Sequence, residues 1–402
     1  MAGQSFQYRD LNPSVNEIRI IRWVAPVNDD DDEVRCDLLH RSLDEQPTYD
    51  ALSYVWGEPE PAQKIHVNGK PVSVTPNLYG TLRQIRHAGC DVWVDALCIN
   101  QKDDVEKGSQ VPLMGRIYQQ ADYVISWLGE GGDGIDIALK FIEVLKDELL
   151  KRSEMVSRML GSEEEPFNTL WQAVGELLGH PYWTRVWIVQ EILLARNPVL
   201  CSGAESCAWD VFQLLFTHLD MRAFGVLSTA AREALLFLCG DLARNLSLLY
   251  NQRFGGRQMT LMDCLVLARQ RRATNPRDYV YGTLGLVEGH FLAVDYSLPT
   301  ATVFTKLVEY MAKHDGTLDI LSACLPRKFS GAESVQVSPV RIPPAIIGYA
   351  KFLIRRISQA ESKGWVRRQE GRQVRERGRE KIIPRAIRSA ELAKMKISPP
   401  GC

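Results

Sequence analysis

The sequence predicts an α/β fold in which a parallel sheet is flanked by helices. Residues 49–57, 91–97 and 123–128 are short apolar segments with the length and composition of buried strands. Residues 76–87 and 106–120, which separate them, have the pattern of helices. Strands that alternate with helices are typical of a parallel sheet covered by helices. We therefore expect this sheet to be preceded by N-terminal strands and followed by a mostly helical C-terminal extension.

Two hairpins are predicted around the first buried strand. Residues 18–24 and 34–39 are apolar segments on either side of the acidic turn 28–33, an arrangement that favours an antiparallel pair. The second hairpin is centred on Asn68-Gly69, a dipeptide that suits a two-residue turn because both residues tolerate positive φ angles.

Beyond residue 128 the chain is predicted to be mainly helical. Helices are expected over residues 136–150, 167–178, 209–249 and 261–270, with a short strand at 199–201. Residues 275–286 are predicted to form a turn that leads into a short helix, and we expect this motif to serve the fold.

Length and composition place the chain among globular proteins. Its 402 residues allow two or three domains, and 24% charged residues with a net charge of −1 are ordinary for a soluble protein. No apolar segment approaches the ~18 residues of a membrane helix, and the N-terminus does not resemble a secretory signal. The 9 Cys and 7 His are dispersed without a C-x-x-C pair, which indicates free thiols in a reducing compartment. We therefore expect a cytoplasmic protein with no metal site and no membrane span.

Positive charge is concentrated near the C-terminus. Residues 351–396 hold 15 basic residues against 5 acidic ones, so the remainder of the chain is acidic. The apolar content is low there, and residues 326–402 are predicted to be a mostly disordered basic tail. Only two aromatic residues, Phe352 and Trp365, lie among these charges, which does not favour nucleic-acid binding.

One segment after the predicted strands combines aromatic residues with a carboxylate. Trp183, Trp187 and Glu191 follow at four-residue spacing, so in a helix they lie along one stripe, with ~40° between successive side chains. A carboxylate beside an apolar wall is partly dehydrated, which suits it to bind a cationic ligand or to act in catalysis. The alternative is a half-buried helix whose Glu191 pairs with Arg185 or Arg196.

Polar residues also follow the predicted strand 91–97. Asp95 and Asn100 stand at and beyond its carboxyl end, where open α/β sheets bind ligands. The alternative is a capped turn in which Asn100 or Asp103 starts the next helix.

Residues 129–134 fit the G-x-G-x-x-G pattern of phosphate-binding turns. That pattern requires an acidic residue closing a second strand ~20 residues later. A continuous charged helix is predicted there instead, so we interpret residues 129–134 as a surface loop.

Several of these segments together resemble the fungal heterokaryon incompatibility (HET) domain. The resemblance rests on motifs in matching order, namely residues 49–57, residues 93–101, Met114 with Ile117-Tyr118 and Ala121, Trp127-Leu128-Gly129, and residues 183–187 with Gln190-Glu191. Residues 275–286 resemble the segment that follows the domain in such proteins, with Asn275 where Asp is usual and Gly282 where Ala is usual.

This resemblance implies a protein of fungal non-self recognition, in which the HET domain triggers the death of fused, incompatible cells. We expect N-terminal strands over residues 1–44, the HET domain over 45–200, a helical extension over 201–325 and the basic tail over 326–402. The resemblance also implies that activity depends on self-association or on other cell-death proteins.

A second resemblance, to Toll/interleukin-1 receptor (TIR) domains, concerns the chemistry. Residues 49–54 are similar to the first TIR strand, residues 117–128 to the middle of the domain and residues 187–191 to its W-x-x-x-E helix. In TIR enzymes that glutamate supports cleavage of NAD to nicotinamide and ADP-ribose. The resemblance therefore implies Glu191 as the catalytic residue and NAD as the substrate, with no resident cofactor.

The residues expected to line the substrate pocket lie at strand ends or one turn before the glutamate: Ser53, Trp56, Gly57, Asp95, Asn100 and Trp187. Trp56 or Trp187 would stack on a base or on the pyridinium ring. The alternative function is a non-enzymatic cell-death adaptor that signals through self-association, in which Glu191 does no more than pair with an arginine.

Overall fold

A mixed β-sheet forms the centre of the fold in the computed structural model, which describes residues 5–25, 33–58, 60, 62–132, 134–151, 159–218, 228–239, 242–256, 259–287 and 292–314. Within these residues the sheet has nine strands, β1 (Glu17–Trp23), β2 (Arg35–Ser42), β3 (Asp50–Tyr54), β4 (Gln63–Val67), β5 (Lys70–Val74), β6 (Val92–Trp93), β7 (Val124–Trp127), β8 (Pro198–Ser202) and β9 (Glu205–Ala208). Their order across the sheet is β5-β4-β2-β1-β6-β3-β7-β8-β9.

Helices flank the sheet and make up most of the second half of the described chain. They are α1 (Pro76–Ile85), α2 (Asp95–Cys98), α3 (Asp104–Gln110), α4 (Met114–Gln120), α5 (Ile135–Lys151), α6 (Glu165–Gly179), α7 (Ile188–Leu193), α8 (Trp209–His218), α9 (Thr229–Cys239), α10 (Leu242–Phe254), α11 (Leu261–Arg269), α12 (Asp278–Tyr281) and α13 (Thr300–His314). The predicted α/β class, with its N-terminal strands and helical C-terminal part, is confirmed.

Four neighbouring strands at the centre of the sheet, β6, β3, β7 and β8, run parallel. Numbered by their order in the chain, they lie in the sequence 2-1-3-4, the doubly wound order of flavodoxin-like folds. The chain leaves β3 toward one edge of the sheet and leaves β7 toward the other, so a crevice opens between the carboxyl ends of these two strands. Open α/β sheets bind ligands at such switch points.

Both predicted hairpins are present. β1 pairs with β2 in antiparallel register from Glu17–Ser42 to Trp23–Cys36, although most of the acidic turn between them lies outside the described residues. β4 and β5 are joined at Asn68-Gly69, whose φ angles of 49° and 70° meet the requirement of a turn with two left-handed residues.

The strand predicted over 91–97 is wrong in its length. β6 ends at Trp93, and Asp95 already opens the short helix α2. The helix predicted over 106–120 is divided by a 3-10 turn that contains Pro112, a residue without the N–H that a continuous helix needs. The helix predicted over 209–249 comprises α8, α9 and α10 within the described residues.

The prediction of one helix with Trp183, Trp187 and Glu191 along the same face is also wrong. Residues Pro181–Thr184 form a 3-10 turn, Arg185 is extended with ψ of 135°, and α7 begins only at Ile188. The extended backbone at Arg185 forms a parallel bridge with Arg272, far along the chain. These non-local hydrogen bonds override the local helical spacing, so the two tryptophans and Glu191 do not share one helix face.

The predicted basic tail, residues 326–402, lies outside the described residues. Among the helices of the described ranges, none has both the length and the apolar character required to cross a bilayer.

Gly285 stands where three segments approach closely, and we expect Gly285→Ala to lower the free energy of unfolding by about 1–3 kcal/mol. A Cβ atom there would lie 2.7 Å from Gln190 Oε1 and 2.9 Å from the Cα of Gly115, so backbone would have to move. Denaturant unfolding measures the loss. The control is Gly108→Ala in α3, where the nearest atom is 3.4 Å away and Ala favours the helix. Equal losses in both variants would contradict the packing argument.

Candidate active site

Two serines face each other across the switch point. Ser53 of β3 and Ser126 of β7 are register partners, and both are buried. The hydroxyl of Tyr182 lies 2.6 Å from Ser53 Oγ and 2.8 Å from Ser126 Oγ, so one phenol bridges the two strands. Ser53 Oγ also donates a hydrogen bond to Glu191 Oε2. The strands and the 3-10 turn that carries Tyr182 thus fix one side of the Glu191 carboxylate.

Arg185 holds the other side of this carboxylate. Its two terminal nitrogens, Nη1 and Nη2, lie 3.1 Å from Glu191 Oε2 and 3.3 Å from Glu191 Oε1. The Glu191 side chain is 1% exposed and the Arg185 side chain is 16% exposed, so the pair is reached from solvent through the arginine. The pairing with Arg185, which the sequence left open as the alternative, is therefore formed in the structure.

A second carboxylate acts on the same arginine. Burial by itself lowers the pKa of Arg185, but the negative charges of Glu191 and Asp95 outweigh it and hold that pKa above its ordinary value. Arg185 is accordingly a permanent positive charge that both acidic groups stabilise.

Asp95 lies at the first position of α2, two positions beyond the end of β6. Its Oδ2 accepts a hydrogen bond of 3.1 Å from Nε1 of Trp56, a residue two positions beyond the end of β3. The Trp56 side chain is 42% exposed. An aromatic ring open to solvent therefore lies beside an acidic group. Both follow the carboxyl ends of central strands, near which Glu191 also lies.

The comparisons with known proteins address this part of the chain. The family model described as "Heterokaryon incompatibility protein (HET)" matches residues 49–191, an interval that starts just before β3 and ends at Glu191. Residues 49–191 form a HET domain. Both residue pairs, Ser53 with Glu191 and Trp56 with Asp95, lie within it.

A curated relative aligns beyond the HET domain. "Heterokaryon incompatibility protein 6, OR allele" of Neurospora crassa is 25% identical over 364 residues, which cover 76% of this chain and 53% of the relative. The chain thus spans about half the length of that protein. No solved structure gives a match to the chain.

Three other residues expected to line the HET domain pocket have no side-chain hydrogen bond to Glu191 within the described residues. Asn100 Oδ1 accepts a hydrogen bond from the backbone N–H of Lys102, and Asp103 caps α3, so the capped-turn alternative is formed here. Gly57 has φ of 71°, and a Cβ atom there would lie 2.7 Å from Nδ2 of Asn77 at the start of α1. Trp187 donates its indole N–H to Asp278 instead of facing Glu191.

Sequence reasoning about the HET domain site did not single out Tyr182 or Ser126, and it treated Arg185 as a structural partner of Glu191. Ser126 could not be found from the predicted parallel strands, because aligning their last residues, Gly57 and Leu128, places Val124 opposite Ser53, and the observed register places Ser126 there. Tyr182 and Arg185 closely precede Glu191 in the sequence, but their contacts depend on the break between the 3-10 turn and α7.

The glycine-rich loop of the HET domain, which begins at Gly129, packs against a neighbouring turn. The backbone N–H of Gly203 donates to the carbonyl of Gly129 at 2.9 Å, and a Cβ atom on Gly203 would lie 2.7 Å from the Glu130 carbonyl. The loop therefore lies against the β8–β9 turn. Among the described residues, no three His, Cys, Asp or Glu side chains converge in an arrangement that could hold a metal ion.

We expect the stability of the HET domain to fall as the pH rises from 4 to 7, in part because of Asp95. Burial raises the pKa of Asp95 to about 6, against the opposing effect of Arg185. Since the unfolded carboxyl has a pKa of about 4, the folded state binds the extra proton between these values, and ionisation then destabilises it. Asp95→Asn should lessen the pH dependence of the unfolding free energy by about 1–2 kcal/mol over this range.

Denaturant unfolding at about pH 4 to 7, a range that includes both pKa values, measures this slope. The matched control is Asp104→Asn, which removes a carboxyl that is 64% exposed. If Asp95→Asn and Asp104→Asn changed the slope equally, the carboxyl of Asp95 would not carry the effect.

Proposed function

We propose that this protein acts in heterokaryon incompatibility and that its HET domain cleaves NAD to nicotinamide and ADP-ribose. The family match over residues 49–191 and the name of the Neurospora crassa relative support the role in incompatibility. The incompatibility response requires a toxic output in fused cells, and depletion of NAD is an output that one small site can supply.

The observation that carries the proposal is the position of Glu191. Its carboxylate is buried at the switch point between β3 and β7, hydrogen-bonded to Ser53 and paired with Arg185. This is the place where a doubly wound sheet binds its ligand. A fixed carboxylate at that place is suited to stabilise a positive charge that develops on a bound substrate.

The chemistry requires one carboxylate. The bond between the ribose C1′ and the nicotinamide nitrogen breaks, and its electron pair neutralises the positive pyridinium, which leaves as nicotinamide without a general acid. Water then adds to C1′ and releases a proton, so NAD and water give nicotinamide, ADP-ribose and H⁺. Glu191 would stabilise the oxocarbenium character of the ribose, as the second carboxylate of a glycosidase does.

The neighbouring residues have distinct expected roles. The exposed ring of Trp56, oriented by its hydrogen bond to Asp95, would stack on the nicotinamide or the adenine. Ser53 and Tyr182 would keep the Glu191 carboxylate in place. Because Glu191 is 1% exposed, NAD reaches it only after Arg185 moves aside. The arrangement is therefore a resting state, and self-association would be the event that opens it.

The closed Arg185–Glu191 pair also favours a second candidate function, a non-enzymatic adaptor that signals through assembly. In that case the pair would be a structural ion pair and no substrate would enter.

The experiment that separates the two candidates is expression of the wild-type protein and of Glu191→Gln in fungal cells, with cell viability and cellular NAD measured together. The enzyme predicts that the wild type lowers NAD before death and that Glu191→Gln does neither. Death at unchanged NAD with both proteins would support the adaptor.

A further inference from the structure

A segment outside the matched HET domain holds the backbone that carries Arg185. Residues 272–285, named here the clamp segment, begin directly after α11 and include α12. At its start the N–H of Arg272 donates to the Thr184 carbonyl at 2.5 Å, and the N–H of Val186 donates to the Arg272 carbonyl at 2.9 Å. These bonds keep Arg185 extended, and this conformation directs the chain from the 3-10 turn into α7.

The second contact of the clamp segment fixes the start of α7. Trp187 donates its indole N–H to Asp278 Oδ2 at 3.3 Å, while Asp278 Oδ1 accepts from the hydroxyl of Tyr296 at 2.9 Å. Asp278 is 9% exposed, so its carboxylate is satisfied by these two donors away from bulk water. The Trp187 carbonyl in turn accepts from the N–H of Glu191 at 3.1 Å.

The third contact lies one residue before Glu191. Gln190 Oε1 accepts a hydrogen bond of 3.1 Å from the N–H of Gly285, and the Gln190 side chain is buried. The chain that bears Arg185 and Glu191 is thus tied at three successive places, at residues 184–186, 187 and 190, to one short segment. Apolar packing between two segments does not by itself produce hydrogen bonds at three successive places. These hydrogen bonds therefore indicate that the clamp segment holds this part of the chain in a defined conformation.

We propose that the clamp segment is part of the active site, and that Asp278 is a positioning residue that sets the Glu191 carboxylate through Trp187. This inference rests on the proposed NAD cleavage for its catalytic consequence, but its structural content is independent of it. It assigns a function to the Asn275–Leu286 motif, which our sequence analysis expected to serve the fold. It also implies that residues 49–191 are insufficient for activity without the residues that follow them.

The geometry gives the proposal a specific mechanism. A buried carboxylate positions an indole, the indole fixes the first turn of α7, and the first turn carries Glu191. Displacement of a catalytic group by about 1 Å costs up to 100-fold in rate while leaving much of the substrate binding intact. A positioning role therefore predicts loss of kcat with little change in KM.

The test compares Asp278→Asn and Trp187→Phe, singly and together, with the wild-type full chain. Trp187→Phe removes the indole donor, and Asp278→Asn leaves one uncharged oxygen to accept from two donors, so both variants act on the same hydrogen bond from different sides. We expect each to lower kcat for nicotinamide release about 10-fold, with KM changed less than about 2-fold. The double variant should be no slower than the slower single variant, because the two residues act as one unit. Losses that multiply, or an effect on KM alone, would overturn the proposal.

The matched control is Asp295→Asn, which also alters a carboxylate of the C-terminal extension. Asp295 accepts from the N–H and hydroxyl of Ser297, and it has no hydrogen bond to Trp187 among the described residues. We expect it to keep the wild-type kcat, even if its melting temperature falls. An equal loss of kcat in Asp295→Asn would mean that general destabilisation, and not positioning, is measured.

Hydrogen exchange separates failure of this inference from failure of the proposed function. If the wild type released no nicotinamide, NAD cleavage would be wrong, but the clamp would still be measurable. We expect the backbone amides of residues 187–193 to exchange at least about 10-fold faster in Asp278→Asn than in Asp295→Asn, since loss of local contacts raises local opening. Equal exchange in these two variants would overturn the clamp.

Discussion

Replacing Glu191 by Gln is expected to reduce NAD cleavage by about 10³-fold, the upper range for removal of one electrostatic contact to a transition state. Gln keeps the shape of the side chain and its capacity to accept from Ser53, but it removes the negative charge that would stabilise the ribose cation. The measurement is steady-state release of nicotinamide from NAD, with the folded fraction of each sample determined by circular dichroism.

This variant needs a control for the loss of a buried ion pair. Removing one partner of such a pair costs about 3–5 kcal/mol when the other stays buried and charged. Arg185→Gln breaks the same pair but leaves the Glu191 carboxylate, and it also opens the route from solvent. We expect it to retain NAD cleavage or to raise it, at reduced stability. If both variants were folded and equally inactive, the pair would be structural and Glu191 would have no special role.

Replacing Trp183 by Ala is expected to lower the free energy of unfolding by about 3–5 kcal/mol. Trp183 is 1% exposed and lies parallel to Phe212, with ring centroids 5.5 Å apart. Its ring also meets Tyr182 edge-on at 5.2 Å, and its indole N–H donates to the Leu177 carbonyl at 2.6 Å. The substitution would leave a cavity beside Tyr182 and Phe212, and the Leu177 carbonyl would lose one of its two donors and keep the N–H of His180.

Urea-induced unfolding of the purified protein measures this loss. The matched control is Trp56→Ala, the same substitution at a side chain that is 42% exposed, for which we expect a loss below about 1 kcal/mol. Trp56→Ala should instead weaken NAD binding. A similar loss of stability in both variants would show that the burial of Trp183 does not decide the energetics of this region.

The sheet could be predicted because its signals are local. The Asn68-Gly69 turn specifies its own hairpin, and the apolar segments that became β3 and β7 could be recognised by composition. The Trp–Trp–Glu stripe could not be predicted correctly, because the break at Arg185 is made by hydrogen bonds to Arg272. Such a contact leaves no trace in the spacing of residues within the segment.

The candidate site could likewise be predicted only where its residues follow from local sequence signals. The sequence supplied Glu191, Ser53 and Asp95, since each follows from a strand end or a motif. Their partners depend on the register that places Ser53 opposite Ser126 and on the turn that brings Tyr182 to both. The orientation of the Trp187 indole likewise depends on its hydrogen bond to Asp278, whose place beside α7 could not be read from the chain order.

The most direct measurement of the central claim is nicotinamide release from NAD by the concentrated, purified wild-type chain beside Glu191→Gln and Arg185→Gln. High protein concentration favours the self-association that we expect to open the site. The proposed function predicts release by the wild type and by Arg185→Gln, with release by Glu191→Gln lower by about 10³-fold. Absence of release from all three folded proteins, with death of fungal cells retained by Glu191→Gln, would contradict NAD cleavage and support the adaptor.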